Sequence, residues 1–227
     1  MRFRLPVSSP FRALPLLLAL TVVAGCGGGT HGATPRPAAG GHAAATARSY
    51  SWGMLWDFRH STTTFGWAQA TVAGMPASSG LSGVGMGTGF LYADVAQQDA
   101  WILSPDLSTE HMHAGQNPWL VLRLRVKTPK PAGSYSLDIY WVTAENGTWG
   151  ETQAVHTLAW KQFVNTDGNW HSMVVNIAAH NANWKGELTA LRIDLEEWEQ
   201  RGPFPQSVAP NEWDIQYLGL AKGPAAG

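Results

Sequence analysis

The chain has 227 residues, and its 15 basic and 16 acidic side chains give a formal net charge of −1. No block of like charge lies outside the first residues, so nothing favours nucleic acid or an anionic membrane surface as a partner. The single cysteine rules out an intramolecular disulfide and a cysteine metal site. The roughly 180 residues from Ser49 onward are enough for one domain with a sizeable core and too few for two.

The N-terminal region has the order of an export signal. Three arginines among the first twelve residues precede an apolar run over residues 14–23. This run is shorter than the ~20 apolar residues that a membrane-spanning helix needs. It leads into Val23-Ala24-Gly25-Cys26, which resembles the lipobox of bacterial lipoproteins. The resemblance implies cleavage before Cys26 and lipidation of that cysteine; ordinary signal cleavage beside an incidental cysteine is the alternative.

Three regions follow from this interpretation. Residues 1–25 are predicted to be a lipoprotein signal peptide, residues 26–48 the lipidated cysteine with a flexible tether rich in Gly, Ala and Pro, and residues 49–227 one domain. By the same resemblance the domain lies outside the cytoplasm, anchored in the cell envelope. Gly27 stands where an aspartate often retains lipoproteins in the inner membrane, so the outer membrane or cell surface is favoured.

Beyond the tether, short strand-like runs alternate with turn residues, and no convincing helical period is present. Strands are predicted over residues 119–126, 134–143, 152–161, 170–177, 188–195 and 213–220, with weaker ones over 55–59, 89–95 and 100–103. Clusters such as Glu145-Asn-Gly-Thr148 supply the turns between them. A half-wetted antiparallel sheet buries its other face on a second sheet, so the pattern predicts an all-β antiparallel β-sandwich of jelly-roll type.

Alternation along the strands separates core positions from outward-facing ones. The predicted core positions are Leu120, Leu122, Leu124, Val126, Leu137, Ile139, Trp141, Leu191, Ile193 and Leu195. The opposite side of these strands carries mainly polar or aromatic residues, namely Trp119, Arg123, Arg125, Asp138, Tyr140, Arg192, Asp194 and Glu196. These side chains are predicted to share one exposed sheet face that could bind sugar hydroxyls or a carboxylate. A solvated face with cross-strand ion pairs is the alternative.

Twelve tryptophans are several times the number expected for one domain. Trp141 is in phase with the core, and Trp101, Trp160, Trp170 and Trp213 lie in or beside strands, so packing accounts for these five. The remaining candidates lie in predicted loops, where binding residues often sit, and they are Trp67, Trp149 and Trp198. For these three, ligand contact competes with packing, because Trp rings stack on the apolar faces of sugars.

Six motifs in order cover most of the domain. They are Asp99-Ala-Trp-Ile-Leu-Ser-Pro105, Trp119-Leu-Val-Leu-Arg-Leu-Arg-Val126, Leu137-Asp-Ile-Tyr-Trp141, Asp167-Gly-Asn-Trp-His171, Trp184-Lys-Gly186 together with Leu191-Arg-Ile-Asp194, and Trp213-Asp-Ile-Gln-Tyr217. Their order resembles galactose-binding-like β-sandwiches, which serve as carbohydrate-binding modules. The resemblance implies a jelly roll that binds a glycan without catalysis.

The same resemblance implies a structural calcium near the chain ends, with Asp57 and Asp214 as candidate ligands if the terminal strands pair. Calcium takes six to eight oxygens, so two aspartates are an incomplete set, and solvated or capping carboxylates are the alternative.

The sequence therefore predicts a membrane-anchored lipoprotein whose domain binds a glycan or polysaccharide without catalysis. A structural or assembly lipoprotein that binds an envelope protein partner is the second hypothesis. A polysaccharide hydrolase or lyase is the third, since Asp194 and Glu196, or Glu197 and Glu199, lie two residues apart and could form a carboxylate pair.

Overall fold

The computed structural model describes residues 50–69, 80–96, 100–129, 135–197 and 211–224. Within these ranges the strands are β1 Tyr50–Asp57, β2 Leu81–Gly87, β3 Phe90–Val95, β4 Ala100–Leu103, β5 Trp119–Val126, β6 Ser136–Thr143, β7 Ala154–His156, β8 His171–Asn176, β9 Leu188–Glu197 and β10 Asn211–Pro224. One short α-helix, α1, spans Ile177–His180, and 3-10 turns lie at Phe58–His60, Ala114–Gln116, Glu151–Gln153 and Thr157–Trp160. The predicted signal peptide and tether, with Cys26, lie outside the described residues. No helix in the described ranges has the length and apolar character needed to cross a bilayer.

The strands form two antiparallel sheets. The six-stranded sheet has the order β2-β3-β10-β5-β8, and β1 also pairs with β10. The long strand β10 accommodates two neighbours along one edge, because β3 pairs with its first half and β1 with its second half. The four-stranded sheet has the order β4-β9-β6-β7. One hydrophobic cluster contains side chains of both sheets, so the fold is the predicted all-β sandwich of jelly-roll type.

The core consists of the alternate strand positions that the sequence predicted. Leu122 on β5, Ile139 and Trp141 on β6 and Ile193 on β9 are fully buried and belong to this shared cluster. Burying one such aliphatic side chain contributes about 1.5–3 kcal/mol relative to leaving it exposed. The prediction of the core is confirmed for these strands.

Two parts of the fold differ from the prediction. Strand β2 was not predicted, because its alternating glycines Gly83, Gly85 and Gly87 lower its strand propensity. The strand predicted over residues 152–161 is instead two 3-10 turns around the three-residue β7. Thr157 supports the turn that ends β7, since its Oγ1 accepts the backbone N–H of Leu137 on the neighbouring strand.

A β-bulge in β10 sets the orientation of its second half. Ile215 and Tyr217 pair with consecutive residues of β5, so Gln216 is an extra residue. The extra residue shifts the phase of the side chains. Leu218 and Leu220 therefore join the shared core, whereas Tyr217 belongs to a second cluster on the outer face.

Candidate functional site

The polar side chains predicted to share one sheet face lie on two opposite faces of the sandwich. Arg123 and Arg125 are on β5 in the six-stranded sheet. The others are on β6 and β9 in the four-stranded sheet, and they are Asp138, Tyr140, Arg192 and Asp194. The prediction of a single polar face is therefore wrong. Alternation assigns the side of a strand, but it carries no information about which sheet the strand joins.

The outer face of the six-stranded sheet is rich in aromatic side chains and is here called the aromatic face. Six of its aromatic residues are half-buried, namely Tyr50, Trp52, Phe90, Tyr92, Trp119 and Trp170. The outward face of an antiparallel sheet is ordinarily polar. Six aromatic rings on this surface therefore need a reason beyond core packing, which occurs on the opposite side of the same strands.

The first aromatic group surrounds Tyr217, whose side chain is fully buried. The ring centroids of Tyr50 and Trp52 are 5.5 Å apart, and Trp52 contacts Tyr217 edge-on at 6.2 Å. Trp119 packs against the same cluster from β5. Tilted and edge-to-face contacts at these distances hold the rings in fixed positions. The group is thus a rigid apolar surface whose outer members remain partly exposed.

The second aromatic group surrounds Arg125. Its guanidinium carbon lies 5.7 Å from the ring centroid of Phe90 and 4.7 Å from that of Trp170. Arg125 Nε donates to Oδ2 of Asp214 at 2.8 Å, and Nη2 contacts the same oxygen. Burial raises the pKa of Asp214 to about 6, an effect that the bond from Arg125 opposes. The arginine therefore neutralises a buried carboxylate and also supports two rings.

Glycines beneath the rings let them lie close to the backbone. A Cβ atom at Gly219 would come within 2.6 Å of the Trp52 ring, and one at Gly85 within 2.6 Å of Tyr92 Oη. Phe90 covers Gly87 in the same way. The glycines that lower the strand propensity of β2 thus leave space for the rings of the aromatic face. A ring that covers the backbone with one side has its other side facing outward.

The outer face of the four-stranded sheet, here called the charged face, carries a network of paired polar groups. His156 Nδ1 lies 2.5 Å from Oδ2 of Asp138, and its Nε2 lies 2.8 Å from Oε2 of Glu151. The Tyr140 hydroxyl donates to Oε1 of Glu151 at 3.1 Å. The bond with Asp138 raises the pKa of His156 to about 9, and burial opposes this shift. Burial also raises the pKa of Tyr140.

Arg192 occupies the centre of the charged face. Its guanidinium carbon lies 5.1 Å from the ring centroid of Trp101 and 5.0 Å from that of Tyr140. Arg192 Nε bonds to Oδ1 of the buried Asp194 at 2.5 Å. Because these polar groups bond to one another, this face offers a ligand few unused donors.

Of the predicted loop tryptophans, the structure describes Trp67 and Trp149. Trp67 is buried against Trp56, with ring centroids 5.2 Å apart, so packing and not ligand contact accounts for this residue. The reason is that Ala68 pairs with Leu103 and draws the loop into the core. Trp149 is half-buried in the connection between β6 and β7. Trp198, Glu199 and the side chains of Glu196 and Glu197 lie outside the described part of the chain.

Four of the six rings on the aromatic face were not among the candidate binding residues predicted from the sequence. These are Tyr50, Trp52, Phe90 and Tyr92. Each pair is spaced two residues apart, which is the signal that could have placed it on one face of a strand. Trp170 was assigned to the core, but it lies half-buried on the aromatic face.

The structure does not place the two predicted calcium ligands, Asp57 and Asp214, opposite one another. Strands β1 and β10 pair as expected, but Asp57 lies opposite Tyr217 and away from Asp214 in the register. Asp57 bonds to Nε of Arg59 at 2.8 Å, which lowers the pKa of that carboxyl, and Asp214 bonds to Arg125. The described ranges contain no group of three or more His, Cys, Asp or Glu side chains suited to a metal ion. Two arginine-bound carboxylates do not fit an ion that takes six to eight oxygens.

No protein-family model matches the chain, and no curated protein matches it. Among solved structures, it is similar to a carbohydrate-binding module specific for non-crystalline cellulose, CBM28, with 12% identity and a TM-score of 0.44 over 76% of this chain and 97% of that one. It is also similar to the family 30 carbohydrate-binding module of a cellulosomal cellulase of Clostridium thermocellum, with 13% identity and a TM-score of 0.42 over 74% and 97%. A third likeness is to the Crh5 transglycosylase, with 10% identity and a TM-score of 0.39 over 78% and 88%. These likenesses are remote, and the function depends on the side chains of this chain.

Proposed function

We propose that the domain binds carbohydrate without catalysis on its aromatic face. The observation that carries this proposal is the set of six half-buried aromatic rings on one outward sheet face, interleaved with arginines. Aromatic rings present flat apolar surfaces to the C–H faces of sugars, and neighbouring polar groups bind the hydroxyls. The two aromatic groups follow one another along β5, from Trp119 in the first to Arg125 in the second, which suits an extended chain of sugars.

Three of the carboxylates on the aromatic face support binding over hydrolysis. Asp57, Asp214 and Glu212 are each bonded to a basic side chain. A glycosidase of the usual type needs two carboxyl groups that flank the bond to be cleaved, one as acid and the other as base or nucleophile. Carboxylates held by arginine or lysine are poorly suited to either role.

A glycan screen tests the proposal. The full chain, purified in a detergent without a sugar headgroup, is applied to a polysaccharide array with and without calcium, and positive ligands are measured by titration calorimetry. We expect saturable binding that Trp52→Ala weakens and Trp149→Ala, in the connection between β6 and β7, leaves unchanged. Absence of binding by folded protein would contradict the proposal and favour an envelope protein partner, which cross-linking would then identify.

We also propose that the domain is tethered to the outer membrane or cell surface through lipid on Cys26. The export-like order of residues 1–25, the lipobox-like tetrad and the tether-like composition of residues 26–48 support this. The expected result is that Cys26→Ser moves the protein from the membrane to the soluble fraction and that the mass of the N-terminal fragment of the parent protein includes acyl chains. An unmodified N-terminal fragment would contradict the proposal.

A further inference from the structure

Arg123 differs from the other arginines on the two outer faces in its bonding partner. The others each bond to an aspartate, in the pairs Arg59–Asp57, Arg125–Asp214 and Arg192–Asp194. Arg123 Nε instead donates to Oε1 of Gln216 at 2.9 Å, a neutral carboxamide. Across the described ranges, no carboxylate lies within ion-pair distance of Arg123. Its charge is therefore held on the sheet face without a neutralising partner there.

Arg123 lies between the two aromatic groups. The outward positions of β5 are, in order, Trp119, Val121, Arg123 and Arg125. Trp119 and Val121 belong to the first aromatic group, and Arg125 belongs to the second. Successive outward positions on a strand are about 6.8 Å apart, so Arg123 is about 14 Å from Trp119 and about 7 Å from Arg125 along the strand. A chain of sugars lying across both groups would pass over Arg123.

The bulge in β10 supplies the side chain that holds Arg123 in position. Gln216 is the extra residue of the bulge, and such residues commonly re-aim a side chain. Its carbonyl oxygen accepts only the Nε hydrogen, and a guanidinium has five N–H donors. The four donors on Nη1 and Nη2 bond to no other side chain or carbonyl in the described part of the protein. A fixed guanidinium with both Nη groups available matches the two oxygens of a carboxylate.

We infer that the aromatic face binds a polysaccharide containing uronic acids, with Arg123 pairing to the carboxylate of one sugar while flanking sugars stack on the two aromatic groups. This inference rests on the proposed carbohydrate-binding function. A carboxylate is planar and pairs with guanidinium through two parallel hydrogen bonds, which adds specificity as well as affinity.

The experiment compares acidic polysaccharides with their own carboxyl-reduced forms. Oligosaccharides of polygalacturonate, alginate and glucuronoxylan, each before and after reduction of the carboxyl to an alcohol, are titrated calorimetrically into the full chain. Charge-assisted bonds of this kind are worth about 10- to 100-fold in affinity, so at least one acidic form should bind tighter than its reduced form by that factor.

Variants separate the arginine from general charge. Arg123→Gln should bind the acidic and reduced forms equally, whereas Lys127→Gln, which removes the same charge from an exposed side chain bonded to Glu212, should keep the preference. Trp52→Ala should weaken both forms. Equal binding of acidic and reduced forms by the parent protein, persistence of the preference in Arg123→Gln, or a stronger preference for sulfated glycans would overturn the inference.

Failure of the two proposals gives different results. If the protein binds neutral glycans and gains nothing from carboxylates, only the uronic-acid inference fails. If it binds no glycan in either form, the carbohydrate-binding function itself fails and the inference falls with it.

Discussion

The two outer faces of this sandwich share a structural unit and differ in what surrounds it. On each face an arginine lies between two aromatic rings and bonds to a buried aspartate. The units are Arg125 with Phe90, Trp170 and Asp214, and Arg192 with Trp101, Tyr140 and Asp194. The unit therefore stabilises both sheets and does not by itself mark a binding site.

The surroundings separate the two faces. On the charged face, His156 joins Asp138 to Glu151, so the neighbouring polar groups are used within the protein. On the aromatic face, further rings are half-buried, and the Nη1 and Nη2 donors of Arg123 bond to no other side chain or carbonyl in the described residues. Exposed aromatic area and hydrogen-bond donors without protein partners therefore distinguish the aromatic face from the charged face, whereas the presence of charged residues does not.

The largest expected effect is on glycan binding by the double variant Trp52→Ala/Trp119→Ala. An aromatic anchor at the centre of an interface contributes about 2 kcal/mol, so removing two should lower the affinity by at least about 100-fold. Titration calorimetry with the ligand found in the glycan screen measures it. Tyr140→Ala on the charged face is the matched control and should bind normally. An equal loss in both variants would erase the distinction between the faces.

The next effect is on stability, and it is common to both faces. Arg125→Ala and Arg192→Ala each leave a buried carboxylate without its arginine, which should lower the free energy of unfolding by about 3 kcal/mol. Urea denaturation measures the loss, and removing both partners, as in Arg125→Met/Asp214→Leu, should restore part of it. Only Arg125→Ala should also weaken glycan binding. Reduced binding in Arg192→Ala, measured under conditions where it stays folded, would contradict the assignment.

A smaller effect tests the contact between ring and glycine. In Gly219→Ala the new Cβ would come within 2.6 Å of Trp52 and 2.5 Å of the Met54 carbonyl oxygen, whereas Gly223 on the same strand has open space. We expect Gly219→Ala to cost about 1–3 kcal/mol of stability and to weaken binding by displacing Trp52. Gly223→Ala should change neither property. A stable Gly219→Ala protein with full affinity would show that the ring position is unimportant.

The smallest effect is the pH dependence of stability that His156 on the charged face contributes. The folded pKa of His156, about 9, lies above its ordinary value of 6.5, so its contribution to stability is complete below pH 6.5 and is lost as the pH rises to 9. Because the histidine is partly solvated, we expect a loss of only about 1 kcal/mol. Urea denaturation at pH 6 and pH 9.5 should show this loss, and Asp138→Asn should reduce it. Glycan affinity should not follow the same curve.

The core could be predicted from the sequence because it depends on local alternation. On β5, β6 and β9 every second residue is aliphatic or Trp, as with Leu122, Ile139 and Ile193, and all three are buried. The fold class followed from these strands and their turns. The burial of these alternate residues could therefore be predicted without knowing which strands pair.

The candidate site could be predicted only in part, because it depends on pairing between distant strands. Arg123 and Arg125 were identified as outward-facing, but the sheet to which each strand belongs is set by long-range pairing that alternation does not encode. The bulge at Gln216 reverses the phase within β10, and simple alternation from Trp213 would have placed Tyr217 in the shared core. Strand β2, against which the rings of Tyr92 and Phe90 lie, was not predicted because its glycines lower its strand propensity.

The most direct test of the aromatic face as the binding surface is to observe the tryptophan indole N–H resonances by NMR during titration with the glycan identified in the screen. Binding on the aromatic face should shift the signals of Trp52, Trp119 and Trp170, while those of Trp101 beneath the charged face and Trp149 in the connection between β6 and β7 stay in place. Shifts confined to Trp101 or Trp149 would contradict it, because the ligand would then be bound elsewhere on the domain.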